Sequence, residues 1–508
     1  MPLRRTTIAT GAVEGVPGGL PTITVFRGIP YAAPTSGANR FRPPQPAAPW
    51  TGVRRCDAFP AICWQDRVPE AVPFGRFFRK EFYPVDYERS EDSLALNVWT
   101  PAQNQGERLP VMVWIHGGGY GSGYGHEMEF DGEALAKRGV VLVTIQYRLG
   151  CFGFFAHPVL SRTNPSGTSG NNGILDQVAA LRWVRDNIAA FGGDPGNVTI
   201  FGQSAGGGSV LSHLASPLSE GLFQRAIVQS GTFLIQTTEF GHTLEKAEAW
   251  GFAALASMGR TLDEALAMPA AELLSAFGAA ERAVGPAPKL NLDGYVFDLP
   301  IASAVRRGRL KDVEILTGSV AGDAGLGMRV MDRAGDPAAA SLRFRFGPDG
   351  AARFLAEHPL EKDGAAIVAA LDASASHGDA LLADAQARNG KKPAYAYFFD
   401  ATMPGANESG FVPEGHAYHS AELWFVFGTL DRCWRRFDGR HHDLAAAMQD
   451  YWTNFARSGD PNGPGLPAWP AYDPASPRML AFNEKGVGTI PATTKEIDAY
   501  LAFARKQD

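Results

Sequence analysis

The stretch Asn197-Val198-Thr199-Ile200-Phe201-Gly202-Gln203-Ser204-Ala205-Gly206 decides the fold. Its first five residues are β-branched or apolar and read as a strand. The residues after Ser204, as far as Pro217, read as a helix. Between them, Gly202-Gln203-Ser204-Ala205-Gly206 matches G-x-S-x-G, in which a serine occupies a sharp strand-to-helix turn that exposes its Oγ. Five residues alone match often by chance; the strand before and the helix after give the motif its weight. The bland alternative is a serine that merely caps a helix.

Working outward, the segment Asp176 to Phe191 carries Val178, Leu181, Val184, Ile188 and Phe191 at helical spacing, and Gly192-Gly193-Asp194-Pro195 ends it. Val111 to Ile115 and Val140 to Ile145 are continuous apolar runs, as in strands buried on both faces of a parallel sheet. Further strands are expected at Ala226 to Val228, Val313 to Thr317, Ala394 to Phe399 and Met479 to Phe482. The alternation predicts an α/β architecture with a large, mostly parallel sheet flanked by helices. No linker argues for independent domains, so one domain over residues 1–508 is expected. Two insertions stand out: a long loop at 64–89, and an Ala-rich helical stretch at 233–312 expected to form a lid.

The first of those apolar runs leads into His116-Gly117-Gly118-Gly119. Glycines let a backbone approach a ligand closely and turn its N–H groups inward. The amides of Gly118 and Gly119, with that of Ala205, are therefore candidate donors to a developing oxyanion, and His116 reads as part of the loop's framework. In this arrangement the acid follows the serine and the base follows the acid. Six histidines lie beyond residue 300: His358, His377, His416, His419, His441 and His442. His416 and His419 follow the strand Ala394 to Phe399, where the base is expected; local spacing does not separate them.

Composition bounds the alternatives. The chain has 508 residues, 45% hydrophobic, with 47 basic and 53 acidic side chains and a net charge of -6. Its basic residues are scattered, which argues against a nucleic-acid surface. No apolar run reaches signal-peptide or membrane-span length, so a cytoplasmic chain is expected. Cys56, Cys63, Cys151 and Cys433 form no C-x-x-C pair, and free thiols are expected. No metal and no organic cofactor is expected.

The chain resembles the type-B carboxylesterases, the group that includes cholinesterases, bacterial para-nitrobenzyl esterases and fumonisin esterases. The resemblance runs nearly end to end, through Phe26-Arg27-Gly28-Ile29-Pro30-Tyr31-Ala32, Arg40-Phe41-Arg42-Pro43-Pro44, Ser90 to Val98, Tyr147-Arg148-Leu149-Gly150 and Phe191-Gly192-Gly193-Asp194-Pro195. It implies an α/β-hydrolase fold and a serine esterase acting on a small-molecule ester as a monomer or homodimer. It also chooses between the histidines. The family's base lies in H-x-x-E-[LI] ahead of an aromatic-Val-Phe-Gly run, which His419-Ser420-Ala421-Glu422-Leu423 and Phe425-Val426-Phe427-Gly428 resemble. The family's acid, usually Glu in G-x-x-x-D-E-G, falls on Asp323 when counted from Gly318; Asp312 and Glu314 are its rivals. Asp is one methylene shorter, so its loop must come closer to His419.

The resemblance implies further that Ser230 hydrogen-bonds the acid, and that Arg40 with Glu91 and Arg148 with Asp176 form structural ion pairs. Ser93 stands where relatives place a cysteine bonded to one matching Cys63, so that bridge is ruled out. Gln203 stands where many members have Glu, which favours a neutral or acidic ester over a choline-like one. Tyr120, Gln203, Trp424 and Phe425 are candidate pocket residues. The same constellation can cleave amides, carbamates or thioesters. A non-catalytic adhesion module is the remote alternative, disfavoured because candidates for nucleophile, acid, base and oxyanion loop are all present.

Overall fold

The structure, a computed structural model, describes residues 1–506 apart from 69, 84, 237–241, 324–336, 374 and 406–413. Its chain falls into two compact units that interleave along the sequence. One comprises Met1–Ile200, Ser216–Gln224 and Phe240–Leu299, the other Phe201–Ala215, Arg225–Glu239 and Pro300–Asp508.

In the first unit, strand Ala95–Thr100 lies between Thr24–Pro30 and Val141–Ile145 and is antiparallel to both. Leu109–Ile115 runs parallel to Val141–Ile145, with Val111 opposite Val141 and Ile115 opposite Ile145. The apolar runs read from sequence are thus a parallel strand pair, and Val111 to Ile115 are entirely buried. Each such side chain contributes about 1.5–3 kcal/mol relative to an exposed position. Helix Asn172–Asn187 tightens into a 3₁₀ turn over Ile188–Phe191. Gly192, at φ +79°, closes it with its N–H on Ala189 O, the left-handed cap that a glycine there predicts.

The segment 64–89 is not simply a loop. It contains the helix Pro73–Glu81, opened by a proline in its first turn, with Phe77 and Phe82 buried. The stretch 233–312 carries helices Leu244–Met258, Leu262–Ala267, Ala270–Val284 and Ile301–Arg306.

The second unit holds the elements around the candidate nucleophile. Strands Arg225–Gln229, Glu314–Val320, Ala394–Asp400 and Arg478–Asn483 pair in that order, all parallel, and Gly486–Pro491 adds an antiparallel edge. Parallel pairing aligns the carboxyl ends of these strands, where α/β sheets place ligands. The loops after Gln229, Val320 and Asp400 therefore converge on one edge.

All four cysteines are free. Among the described residues no helix is long and apolar enough to cross a membrane, and no group of three or more His, Cys, Asp or Glu is arranged to hold a metal ion.

Candidate active site

Ser204 sits between the strand Gly193–Gln203 and the helix Ala205–Ala215. Its φ is +57°, a left-handed conformation that costs a non-glycine residue about 1–3 kcal/mol and persists only where neighbours enforce it. Two backbone bonds enforce it here: Ser204 N–H donates to Gln229 O at 2.9 Å, and Ser204 O accepts from Gly208 N at 2.8 Å. The helix starts almost against the end of strand Arg225–Gln229. A Cβ on Gly207 would meet Gln229 O at 2.8 Å, and one on Gly231 would meet the Gly207 carbonyl carbon at 2.4 Å. Gly207 lies one residue beyond the motif, and nothing in the local pattern marked it. The close approach turns Ala205 N–H and the start of the helix toward the same edge as the serine.

Asp323 and His419 come together from loops 96 residues apart. Asp323 ends the 3₁₀ turn Ala321–Asp323 after strand Glu314–Val320, and His419 precedes the short helix Leu423–Val426. Asp323 Oδ1 lies 2.5 Å from His419 Nδ1, and Oδ2 accepts from Val320 N–H at 3.1 Å. The two side chains are 7% and 13% exposed.

Gly322 makes the shorter acid reach. Its N–H donates to Ala417 O at 2.7 Å, and an added Cβ would stand 2.4 Å from that oxygen and 2.8 Å from Tyr418 Cα. The acid turn thus lies backbone to backbone against the histidine loop. Burial pulls the His419 pKa down, but the Asp323 charge and hydrogen bond, with Glu422 behind, outweigh it, and the net direction is upward.

The rival residues go elsewhere. His416 faces Asp400. Asp312 binds the backbone N–H groups of Lys391 and Lys392, and Glu314 pairs with Lys392 and Arg225.

Ser204 Oγ makes no hydrogen bond to His419 among those found between described residues. Gln203 meets the ring instead: its Nε2 is 3.2 Å from His419 Nε2, and its Oε1 accepts from Ser420 Oγ at 3.1 Å. Catalytic hydrogen bonds are often loose without substrate and tighten in the complex. Gln203 is therefore turned onto His419. Trp424 and Phe425 are entirely buried, Phe425 edge-on to Phe399 at 5.0 Å, so both are packing residues in this structure. Ser230 does not bind the acid: its N–H donates to Gly318 O, its φ is +47°, and its Oγ has no partner among the described residues.

The glycine-rich loop belongs to the first unit. It leaves strand Leu109–Ile115 and passes through three successive left-handed residues: Gly118 at +97°, Gly119 at +62° and Tyr120 at +60°. Gly118 O accepts from Ser122 N, and a Cβ on Gly118 would stand 2.1 Å from Ser122 O, so only glycine fits. His116 is a framework residue, as read. It is entirely buried, stacked on Tyr147 at 4.4 Å, and burial pulls its pKa down to about 4, leaving a neutral ring. Tyr120 is buried against Phe154.

The structural ion pairs are present, both within the first unit. Arg40 Nε donates to Glu91 at 2.8 Å, and Arg148 donates to Asp176 through its backbone N–H, Nε and Nη2.

The profile of the Carboxylesterase family matches residues 3–345 and 357–499. A fumonisin B1 esterase of Sphingopyxis macrogoltabida is 35% identical over 507 residues, covering 94% of this chain and 86% of that protein. A human cocaine esterase is 36% identical over 505 residues, covering 94% and 87%. A solved PNB esterase structure superposes with a TM-score of 0.81 at 30% identity, over 98% of this chain and 99% of that one. The fold is thereby that of the α/β hydrolases.

Proposed function

The chain belongs to the carboxylesterase family and is a carboxylic ester hydrolase, and we propose that it works through Ser204 as nucleophile, His419 as base and Asp323 as the acid that orients it. The observation that carries this assignment is the 2.5 Å contact between His419 Nδ1 and Asp323, at the sheet edge that also presents Ser204. With Nδ1–H held by the carboxylate, Nε2 is left as the lone-pair nitrogen. On substrate binding the Gln203 amide gives up Nε2 to the Ser204 hydroxyl.

His419 Nε2 takes the Ser204 proton while Oγ bonds to the ester carbonyl carbon. The oxyanion is held by the N–H of Ala205, at the start of the helix that follows Ser204. Collapse breaks the carbon–alkoxy bond, and the leaving oxygen takes the proton from His419. Water then attacks the acyl-enzyme with His419 as base again, releasing the acid and free Ser204. Asp323 stabilises the imidazolium in both halves. Gln203 adds no charge beside the nucleophile, which supports a neutral or acidic ester over a cationic one.

Ser204→Ala tests the assignment with p-nitrophenyl acetate. Turnover is expected to fall about a thousandfold or more, with circular dichroism and melting unchanged. Mass spectrometry should find an acyl adduct on the peptide carrying Ser204 in the wild type only. Near-normal turnover by the variant overturns it.

A further inference from the structure

Behind the Asp323–His419 pair lies a carboxyl group that the proposed chemistry does not use. Asp379, on helix Ser376–Asn389, is entirely buried. Its Oδ1 accepts from Thr317 Oγ1 at 2.7 Å, and Thr317 lies on the strand that runs on to Asp323. Its Oδ2 has no partner in hydrogen-bonding geometry, and the Ser319 and Thr232 hydroxyls also lie near the carboxyl. Among the described residues no Lys, Arg or His pairs with it. The charged group that faces it is Asp323.

The other neighbouring elements bring acids or neutral groups. Tyr397, from strand Ala394–Asp400, lies flat across Gly318, where a Cβ would meet its ring at 2.2 Å. Its phenol senses Asp379, Asp323 and Glu422 together. Glu422, also entirely buried, feels the Asp323 charge and accepts from Gln229 Nε2. Arg306, on the helix Ile301–Arg306 that packs on Ser376–Asn389, reaches Ser303. His377, next in line on the Asp379 helix, is held by Arg345.

We propose that Asp379 is a positioning residue of the acid–base pair, a second carboxyl behind Asp323 that sets the pH range over which His419 serves as base. This rests on Asp323 and His419 being that pair. A buried carboxyl with no cation beside it avoids ionisation, and a like charge nearby adds to the effect. Burial, then the Asp323 charge, push Asp379 up to about 7, with the three hydroxyls holding it back. Below that pH the group is neutral. Above it a second negative charge appears behind Asp323, which favours the imidazolium and delays the release of neutral His419. Because the folded-state pKa lies above the ordinary carboxylate value, the native state holds this proton more tightly than the unfolded chain. The stability so contributed is complete at acid pH and is lost as pH rises from the ordinary carboxylate range through about 7.

The test compares wild type, Asp379→Asn and Thr317→Val as full-length proteins. The readouts are kcat/KM for p-nitrophenyl acetate and the melting temperature, both from pH 5.5 to 9.5. In Asp379→Asn the acid limb of kcat/KM is expected to move to lower pH by about half a unit or more, leaving Glu422, which burial and the Asp323 charge push up to about 8, as the remaining raised carboxyl beside the pair. Its melting temperature should fall less on alkalinisation than that of the wild type. Thr317→Val removes a donor to the ionised carboxyl, so its alkaline loss of stability should start in the same carboxylate range but continue to higher pH than in the wild type; it keeps the question open to test if the Asn variant does not fold. A limb that superimposes on the wild type, or a uniform loss at every pH, overturns the proposal. Should Ser204→Ala retain turnover, the reading of the site falls, whereas the pH dependence of melting still reports on Asp379.

Discussion

Replacing Asp323 with Asn keeps the shape of the side chain and removes one charge. In the transition state the Ser204 proton has passed to His419, and the imidazolium centre lies roughly 4 Å from the carboxylate. At an effective dielectric constant of about 20, such a pair is worth about 4 kcal/mol. Both side chains are largely buried, at 7% and 13% exposure, so solvent discounts that figure only modestly. At 1.36 kcal/mol per factor of ten, 4 kcal/mol corresponds to about a thousandfold in kcat. A second effect adds to it. An amide can donate as well as accept, so Asn can bind the tautomer with a bare Nδ1, whose Nε2 carries a proton and cannot take another from Ser204. The expected fall in kcat is therefore about 10³–10⁴-fold, the upper end matching the roughly 10⁴-fold loss that a wrong tautomer causes in a serine triad. The assay is nitrophenolate release from p-nitrophenyl acetate, with melting temperature as the control for folding. Asp312→Asn and Glu314→Gln should change kcat less than about threefold, since both carboxylates bind surface partners. A kcat for Asp323→Asn within tenfold of the wild type, or an equal fall in Asp312→Asn, would refute the reasoning.

Gln203→Glu places a carboxylate against His419 Nε2, where the amide nitrogen now stands at 3.2 Å. An opposite charge that close should raise the His419 pKa by about 1–3 units. The acid limb of kcat/KM then moves to higher pH, and cationic esters gain relative to neutral ones in KM; an unmoved limb counts against the contact. Asp176→Asn breaks a pair whose partners are 2% and 0% exposed and leaves Arg148 charged and buried, which should cost about 3–5 kcal/mol in denaturant unfolding. A loss below about 1 kcal/mol would show that the pair is solvated in solution.

What the sequence made legible is what neighbours in the chain determine. Strand, turn and helix around Ser204 follow from ten consecutive residues, and the left-handed serine at their junction is the conformation that turn requires. His419 and Asp323 could be named only through the family resemblance of their segments; local spacing left His416 beside His419, and Asp323 departs from the family's usual Glu. Helix Pro73–Glu81 escaped notice because its proline and arginines read as loop, although Phe77 within it and Phe82 just after it are buried. The contacts that bind the site together had no local signature at all. Gln203 reaches His419 across 216 residues of chain, and nothing near Gln203 says that its amide will lie on that ring. Gly322 is the instructive case. In the sequence it is one glycine among 58, and the concern there was the missing methylene of Asp323. In the fold, the absence of its Cβ lets the acid turn touch Ala417 and Tyr418, so the backbone supplies the reach that the side chain lacks. Alanine at 322 would press its Cβ to 2.4 Å from Ala417 O, and the cheapest relief is to move the acid turn away from His419. The shorter acid and the glycine before it therefore form one adaptation. A glutamate at 323 would crowd a gap already closed to 2.5 Å.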